Sequence, residues 1–180
     1  MKRAVFLDRD GVVNEAVIRD GKPYPPANAE SMLILAGTAD ALERLKERGY
    51  FLVVVTNQPD VARGRQTREV VEQMHRRLLS ELPLDDVLTC YHDDTDGCDC
   101  RKPQPGLIRR AAQQYGIDVS QSFLIGDRWR DIDTGAYAGC KTILIDRGYA
   151  ERAPASTPNA RVGSLPEAVD WILNASTECK

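Results

Sequence analysis

Short apolar runs recur along the chain, and between them apolar residues return every three or four positions. The runs are residues 4–7, 51–55, 87–88, 123–125 and 142–145. None alternates with polar residues, which is the pattern of strands covered on both faces, as in a parallel sheet. The stretches between them predict helices. Thr38 is placed to cap one that runs to Arg48 and stops at Gly49, and Thr67 caps a second that reaches Leu79. In the second, Val70, Val71, Met74 and Leu78 share a face, with His75 expected on the exposed side. A third covers Gly106 to Tyr115 and ends at Gly116. A last one opens with the capping box Ser164-x-x-Glu167 and carries Ala168, Val169, Ile172 and Leu173. Strand and helix in alternation predict an α/β, Rossmann-like fold, a mainly parallel sheet with helices on both faces. No repeat or linker divides the chain, so 1–180 is expected to form a single domain. In such a sheet the ligand crevice lies beyond the carboxyl ends of the strands, which directs attention to the residues just after each run.

Composition narrows the partners. A net charge of −3, with 42% apolar and 28% charged residues, is too apolar for disorder and lacks the basic footprint of a nucleic-acid binder. The longest strongly apolar run, 51–55, falls far short of the roughly 20 residues of a membrane helix. After Met1-Lys2-Arg3 the apolar stretch is cut off by Asp8-Arg9-Asp10, too soon for a signal peptide, so a cytoplasmic monomer is expected. In a reducing compartment the 5 cysteines (90, 98, 100, 140 and 179) read as metal ligands or buried thiols rather than a disulfide frame. Cys140 is expected in the core and Cys179 in a frayed tail.

Four strand ends carry chemistry. Asp8-Arg9-Asp10-Gly11 follows the first run, and residues two apart on a strand point the same way, so Asp8 and Asp10 are expected to face one point while Arg9 turns aside. Thr56-Asn57-Gln58 follows the second run and offers a hydroxyl and amides to a phosphate oxygen. Gly126-Asp127 follows a later run, with Asp131 and Asp133 close behind. Arg101-Lys102-Pro103 precedes the Gly106 helix, where a lysine can neutralise a phosphoryl oxygen. Singly, these read as an Asp-Gly turn, a strand-closing threonine, helix-capping acids and a solvated basic pair. Together they gather acids, a hydroxyl and a cation at one sheet edge. Carboxylates crowded in a crevice call for a cation, and Mg²⁺, with its preference for oxygen ligands, suits them. Asp133 reads as a helix-dipole acid, and Asp131 is open between that role and the metal.

This ordered set resembles the haloacid dehalogenase superfamily of phosphohydrolases over residues 4 to 147. A second cluster, Cys90-x-His92 followed by Cys98-x-Cys100, supplies a Cys₃His set sufficient to close a structural zinc site. The loop is acidic and poor in apolar residues, so a metal is expected to order it and to place Arg101-Lys102. The combination resembles the zinc-containing branch that holds D-glycero-D-manno-heptose 1,7-bisphosphate 7-phosphatases and histidinol-phosphate phosphatases. Asp8 to Asn14, Val53 to Gln58, Ala62-Arg63-Gly64 and Cys98 to Pro103 carry the likeness to the heptose enzymes, whereas the short spacer between His92 and Cys98 is nearer the histidinol-phosphate pattern. Val12 and Pro59-Asp60 depart from the heptose pattern, in which Thr and Ser-Gly are usual.

The resemblance implies a mechanism. Asp8 would attack phosphorus to form an aspartyl-phosphate, and Asp10 would protonate the leaving oxygen and then activate water. Asp8, the Asp10 carbonyl and Asp127 would hold Mg²⁺, while Thr56 and Lys102 would bind phosphoryl oxygens. Asn57, Gln58, Arg63, Arg101 and Arg128 are the candidate substrate contacts, Arg63 and Arg101 at the far end and for a second phosphate. No large cap is expected, and Lys22-Pro23-Tyr24-Pro25-Pro26 is either a rigid substrate loop or a plain connection. The expected partner is a small phosphorylated sugar, with neither nucleic acid nor membrane. Three functions stay open: heptose-bisphosphate 7-phosphatase, histidinol-phosphate phosphatase, and a non-catalytic phosphosugar-binding module.

Overall fold

The computed structural model describes residues 1–175, which leaves Cys179 outside the described residues. Six strands form one sheet: β1 (Ala4–Leu7), β4 (Phe51–Asn57), β5 (Asp86–Cys90), β6 (Phe123–Gly126), β7 (Lys141–Ile145) and β8 (Ala160–Val162). Their order is β5-β4-β1-β6-β7-β8 and every adjacent pair is parallel. Between β1 and β4 the chain forms a separate antiparallel hairpin, β2 (Val17–Arg19) and β3 (Lys22–Tyr24). No large cap is present among the described residues.

The unbroken apolar runs follow from covering both sheet faces. Val5 and Leu7 of β1, with Leu52 and Val54 of β4, enter a core shared with α1 (Thr38–Glu47), α2 (Arg68–Glu81) and α5 (Leu165–Ala175). Their neighbours Ala4, Phe6, Val53 and Val55 face the opposite core, built with Leu107, Ile108 and Ala111 of α3 (Gly106–Tyr115). Helix α4 (Trp129–Ala138) lies on β6 and β7 on that same side. Cys140 is buried there as expected. No described helix is long and apolar enough to cross a membrane.

The helix starts correct one expectation. Thr67 caps α2 as predicted, its side chain accepting from the Val70 N–H. For α1 the cap residue is Gly37, at φ 78°, and not Thr38. The Thr38 hydroxyl is buried and donates to the Val13 carbonyl at 3.4 Å, so it cannot turn outward to cap the helix.

From β1 the chain first builds outward through β4 and β5, then returns to add β6 on the other side of β1. That reversal opens the crevice at the carboxyl ends of β1, β4 and β6, where Asp8, Thr56 and Asp127 stand.

Gly135 sets how closely α4 approaches the sheet. A Cβ there would lie 2.4 Å from Thr142 Cγ2 and 3.1 Å from Leu124 Cβ. Glycine in a helix ordinarily costs about 1 kcal/mol relative to alanine. Here the overlap decides the sign, and Gly135→Val is expected to destabilise the fold by about 1–3 kcal/mol in urea unfolding. An unchanged midpoint would mean that α4 has room to spare at this position.

Candidate active site

Asp8, directly after β1, and Asp131, in the first turn of α4, share one cation. Lys102 is buried, and its Nζ donates to Asp8 Oδ1 at 2.6 Å, Asp131 Oδ1 at 2.6 Å and the Val55 carbonyl at 2.9 Å. All three ammonium protons are therefore committed. Asn57 fixes the lysine from behind: its Oδ1 accepts from the Lys102 N–H at 3.0 Å and its Nδ2 donates to the Lys102 carbonyl at 3.2 Å. Asp131 Oδ2 accepts from the Arg128 N–H at 3.1 Å, so this residue serves the helix start and the lysine at once.

Asp127, after β6, completes an acidic cluster. Asp8, Asp127 and Asp131 each bring a carboxylate oxygen within 4.8 Å of the others. Tyr149 donates to Asp127 Oδ2 at 2.7 Å, while Oδ1 is buried with no hydrogen-bond partner. Burial pushes the Asp8 carboxyl up to about 6, with Asp131 adding to the rise and Lys102 opposing it. Burial, then the charges of Asp8 and Asp131, lift Asp127 well above the ordinary range. Three buried carboxylates against one ammonium leave negative charge uncompensated. An orphaned carboxylate oxygen among hard oxygen donors fits a hard divalent cation that keeps sites for water and a substrate oxygen. Gly11 admits this crowding: at φ 91°, it would place a Cβ 1.9 Å from Asp127 Oδ2.

The Asp10 carboxylate does not join that cluster, and Asp131 stands in it instead. Arg9, expected to turn aside, is wholly buried and folds back on Asp10, with Nε and Nη2 at 3.1 and 3.0 Å from its two oxygens. Asn14 Nδ2 at 2.9 Å and Gln58 Nε2 at 3.0 Å add one donor to each oxygen. Burial acts to raise the Asp10 carboxyl, but the Arg9 charge and these donors outweigh it and hold the group below the usual aspartate range. In this conformation Asp10 is a carboxylate.

The third arm of Arg9 explains a corrected expectation. His75, predicted exposed, is buried, with Nε2 at 3.1 Å from Arg9 Nη1. Arginine only donates, so Nε2 must offer its lone pair and the imidazole is neutral. Burial, then the Arg9 charge, push His75 down to about 3. The inner face of α2 is therefore wider than its apolar residues suggest, because a buried guanidinium needs an acceptor there.

Around this centre lies a cleft of about 220 Å³, lined by Asp8, Asp10, Thr56, Asn57, Lys102, Arg63, Arg101 and Arg128, all singled out in the sequence. Gln58 sits behind it, buried, and donates to Thr56 Oγ1 at 2.9 Å as well as to Asp10. The hairpin residues Lys22, Pro23, Tyr24 and Pro25 form one wall. At the far end Arg63 Nε meets Asp93 at 2.9 Å, while Arg101 Nε and Arg130 Nη1 meet Asp94 Oδ1 at 2.8 and 3.2 Å. Arg128 is paired with Glu151.

Next to the cleft, the Cys90, His92, Cys98 and Cys100 donors come together. The sulfur–sulfur separations are 3.2, 3.5 and 3.8 Å, and His92 Nδ1 lies 3.5 and 3.3 Å from Cys90 and Cys100 Sγ. A tetrahedral ion with Zn–S bonds of about 2.3 Å would set its ligands about 3.8 Å apart. The donor set is thus compatible with zinc. Burial raises the Cys90 and Cys100 thiols, whereas at Cys98 burial is outweighed by N–H donors from Arg101 and Cys100.

Comparison with known proteins agrees with this geometry. A HAD-hydrolase-like family model matches residues 99–170. The D-glycero-β-D-manno-heptose-1,7-bisphosphate 7-phosphatase of Pseudomonas aeruginosa is 34% identical, over 82% of this chain and 83% of its own. The enzyme of the same name from Helicobacter pylori is also 34% identical, over 94% and 97% of the two chains. The chain belongs to the heptose-bisphosphate phosphatase family of the haloacid dehalogenase superfamily. Among solved structures it is similar to the D,D-heptose 1,7-bisphosphate phosphatase of Bordetella bronchiseptica complexed with magnesium and phosphate. That likeness has a TM-score of 0.79 and 31% identity, with 97% of this chain and 99% of that one covered.

Three residues at this family member's site escaped the sequence reading. Arg130 follows Trp129 on the first turn of α4, and Arg147 and Tyr149 lie in the loop after β7, where Asp146 and Gly148 signal a turn but nothing marks a site.

His75 yields a pH prediction. In the unfolded chain it protonates near 6.5, whereas in the fold it stays neutral until about pH 3. The unfolded state thus binds the extra proton between those values, so His75 causes stability to fall as pH drops from 6.5 toward 3. His75→Gln keeps an acceptor for Arg9 without the titration. Its unfolding free energy, measured in chelator, is expected to lose less than wild type over that range. Parallel curves would show that His75 is protonated in the fold.

Proposed function

We propose that this protein is a divalent-cation-dependent phosphomonoesterase that removes the 7-phosphate of D-glycero-D-manno-heptose 1,7-bisphosphate. The observation that carries the reading is the buried Asp8–Lys102–Asp131 arrangement beside an orphaned Asp127 oxygen, at the floor of an arginine-lined cleft. The likeness to the B. bronchiseptica enzyme, whose structure holds magnesium and phosphate, supports the metal and the ligand class.

Asp8 is the nucleophile. One of its carboxylate oxygens attacks phosphorus, the bond to the sugar oxygen breaks, and an aspartyl-phosphate forms. Asp10 gives its proton to the departing oxygen and recovers one from the water that then attacks the acyl-phosphate. A protonated Asp10 turns one acceptor into a donor, so it must release at least one of its contacts to Arg9, Asn14 and Gln58 before it can act. Lys102 and Thr56 receive the phosphoryl oxygens, Lys102 exchanging its carboxylate partners for substrate. Mg²⁺, held by Asp8, Asp127 and the Asp10 backbone carbonyl, would neutralise phosphoryl charge that lysine alone cannot balance. Asn57 and Gln58 act mainly by fixing Lys102, Thr56 and Asp10. Arg63, Arg101 and Arg130 bind the distal phosphate, which replaces the Asp93 and Asp94 carboxylates as their anion. Arg128, at the rim, reaches substrate by leaving Glu151. Zinc at the Cys₃His set is structural, because all four positions come from protein.

Histidinol phosphate is the second reading, favoured by the short spacer between His92 and Cys98. Side-by-side kcat/KM on the two esters decides between them, with the bisphosphate expected to win and to lose its advantage when Arg101 is replaced by Ala. Phosphate release should require Mg²⁺ and vanish in Asp8→Asn; turnover surviving in that variant would refute the nucleophile. Purified protein is expected to carry about one zinc per chain, lost in Cys98→Ser. Folded, zinc-free wild type would overturn the metal assignment.

A further inference from the structure

The loop between β7 and β8 contributes a hydrogen bond to the acidic cluster that the catalytic reading does not use. We propose that Tyr149 is a positioning residue for the divalent cation, holding Asp127 through Oδ2 so that Oδ1 remains the ligand atom. The inference rests on the cation reading of the acidic cluster given above.

Three observations carry it. The phenolic hydroxyl donates to Asp127 Oδ2 at 2.7 Å, while Oδ1 is buried and has no partner. Both groups press on the same backbone: a Cβ on Gly11 would meet Asp127 Oδ2 at 1.9 Å and the Tyr149 hydroxyl at 2.9 Å. The phenol is also fastened from both sides. Arg147 Nε and Nη2 donate to the Gly11 carbonyl at 3.1 and 2.9 Å, and the Ala150 N–H donates to the Gly21 carbonyl at 3.1 Å. One short segment thus fixes the Asp127 carboxylate and the Gly11 carbonyl. A ligand carboxylate oriented in this way meets a cation without first giving up rotational freedom, and loss of such an outer partner typically weakens metal binding 10- to 100-fold.

The test uses the intact, zinc-replete protein and Mn²⁺ alone as probe, with free Mn²⁺ measured by electron paramagnetic resonance. Tyr149→Phe keeps the ring and removes the donor. It is expected to keep the wild-type circular dichroism while binding Mn²⁺ at least about 10-fold more weakly. Its kcat should recover in saturating Mg²⁺, with the half-saturating Mg²⁺ concentration raised. Arg147→Gln releases the segment from Gly11 but leaves the phenol, and is expected to weaken Mn²⁺ by a smaller factor. Arg152→Gln, in the same loop, serves as the control with unchanged affinity. Wild-type Mn²⁺ affinity in Tyr149→Phe overturns the proposal; if that variant does not fold, wild-type affinity in Arg147→Gln overturns it alone. Wild-type protein that binds no Mn²⁺, or Asp127→Asn that binds it as well as wild type, defeats the cation reading itself.

Discussion

Uncompensated negative charge at the carboxyl edge of the sheet is the constraint around which this protein is arranged. Asp8, Asp127 and Asp131 are all buried and near one another, and Lys102 is the ammonium that reaches Asp8 and Asp131. Such a cluster is costly to bury, and breaking one of its pairs typically costs about 3–5 kcal/mol. The surrounding structure supplies what holds it. Asn57 anchors the lysine backbone, the start of α4 gives Asp131 an N–H, and Tyr149 gives Asp127 a hydroxyl. What remains unsatisfied is the buried Asp127 Oδ1, among carboxylates whose charge the lysine only partly balances.

The two acids of the Asp-x-Asp pair are tuned in opposite directions by their neighbours. Burial, with Asp131 beside it, pushes Asp8 up, whereas at Asp10 the Arg9 charge and a fork of donors outweigh burial and hold the group down. A chain from half-buried Thr89 through buried His75 and Arg9 sets the second environment, since a neutral imidazole can accept from the guanidinium that grips Asp10. Helix α2 thereby acts on Asp10 without lining the cleft. The cysteine loop does similar work at the other side: it holds Asp93 and Asp94 out toward Arg63, Arg101 and Arg130, keeping three guanidinium groups together in the absence of a substrate anion. That loop has few apolar residues of its own and gathers four metal-type donors beside the cleft.

Local chemistry was legible wherever the residues that produce it are close in sequence. Unbroken runs such as 4–7 and 51–55 announced strands covered on both faces, Thr67 and Ser164 announced helix starts, and Cys90, His92, Cys98 and Cys100 announced a metal-type set within one loop. The residues after each run could be named as a site because a parallel sheet brings those ends to one edge. Partnership across long separations was not legible. Arg9 and His75 lie 66 residues apart and Arg147 and Gly11 lie 136 apart, and no periodicity marks either pair. The Thr38 hydroxyl was misread for the same reason, its acceptor being the distant Val13 carbonyl.

From its sequence alone, this protein was determined as an α/β chain with acids, a lysine and a threonine at neighbouring strand ends, because side-chain direction and strand adjacency follow from short-range pattern and general rules of topology. Tertiary structure decided which acid joins the cluster, which is held apart, and which bystander residues fix them. Those outcomes depend on ångström-scale competition among buried donors and acceptors, which are brought together only when the sheet closes and the loops dock upon it.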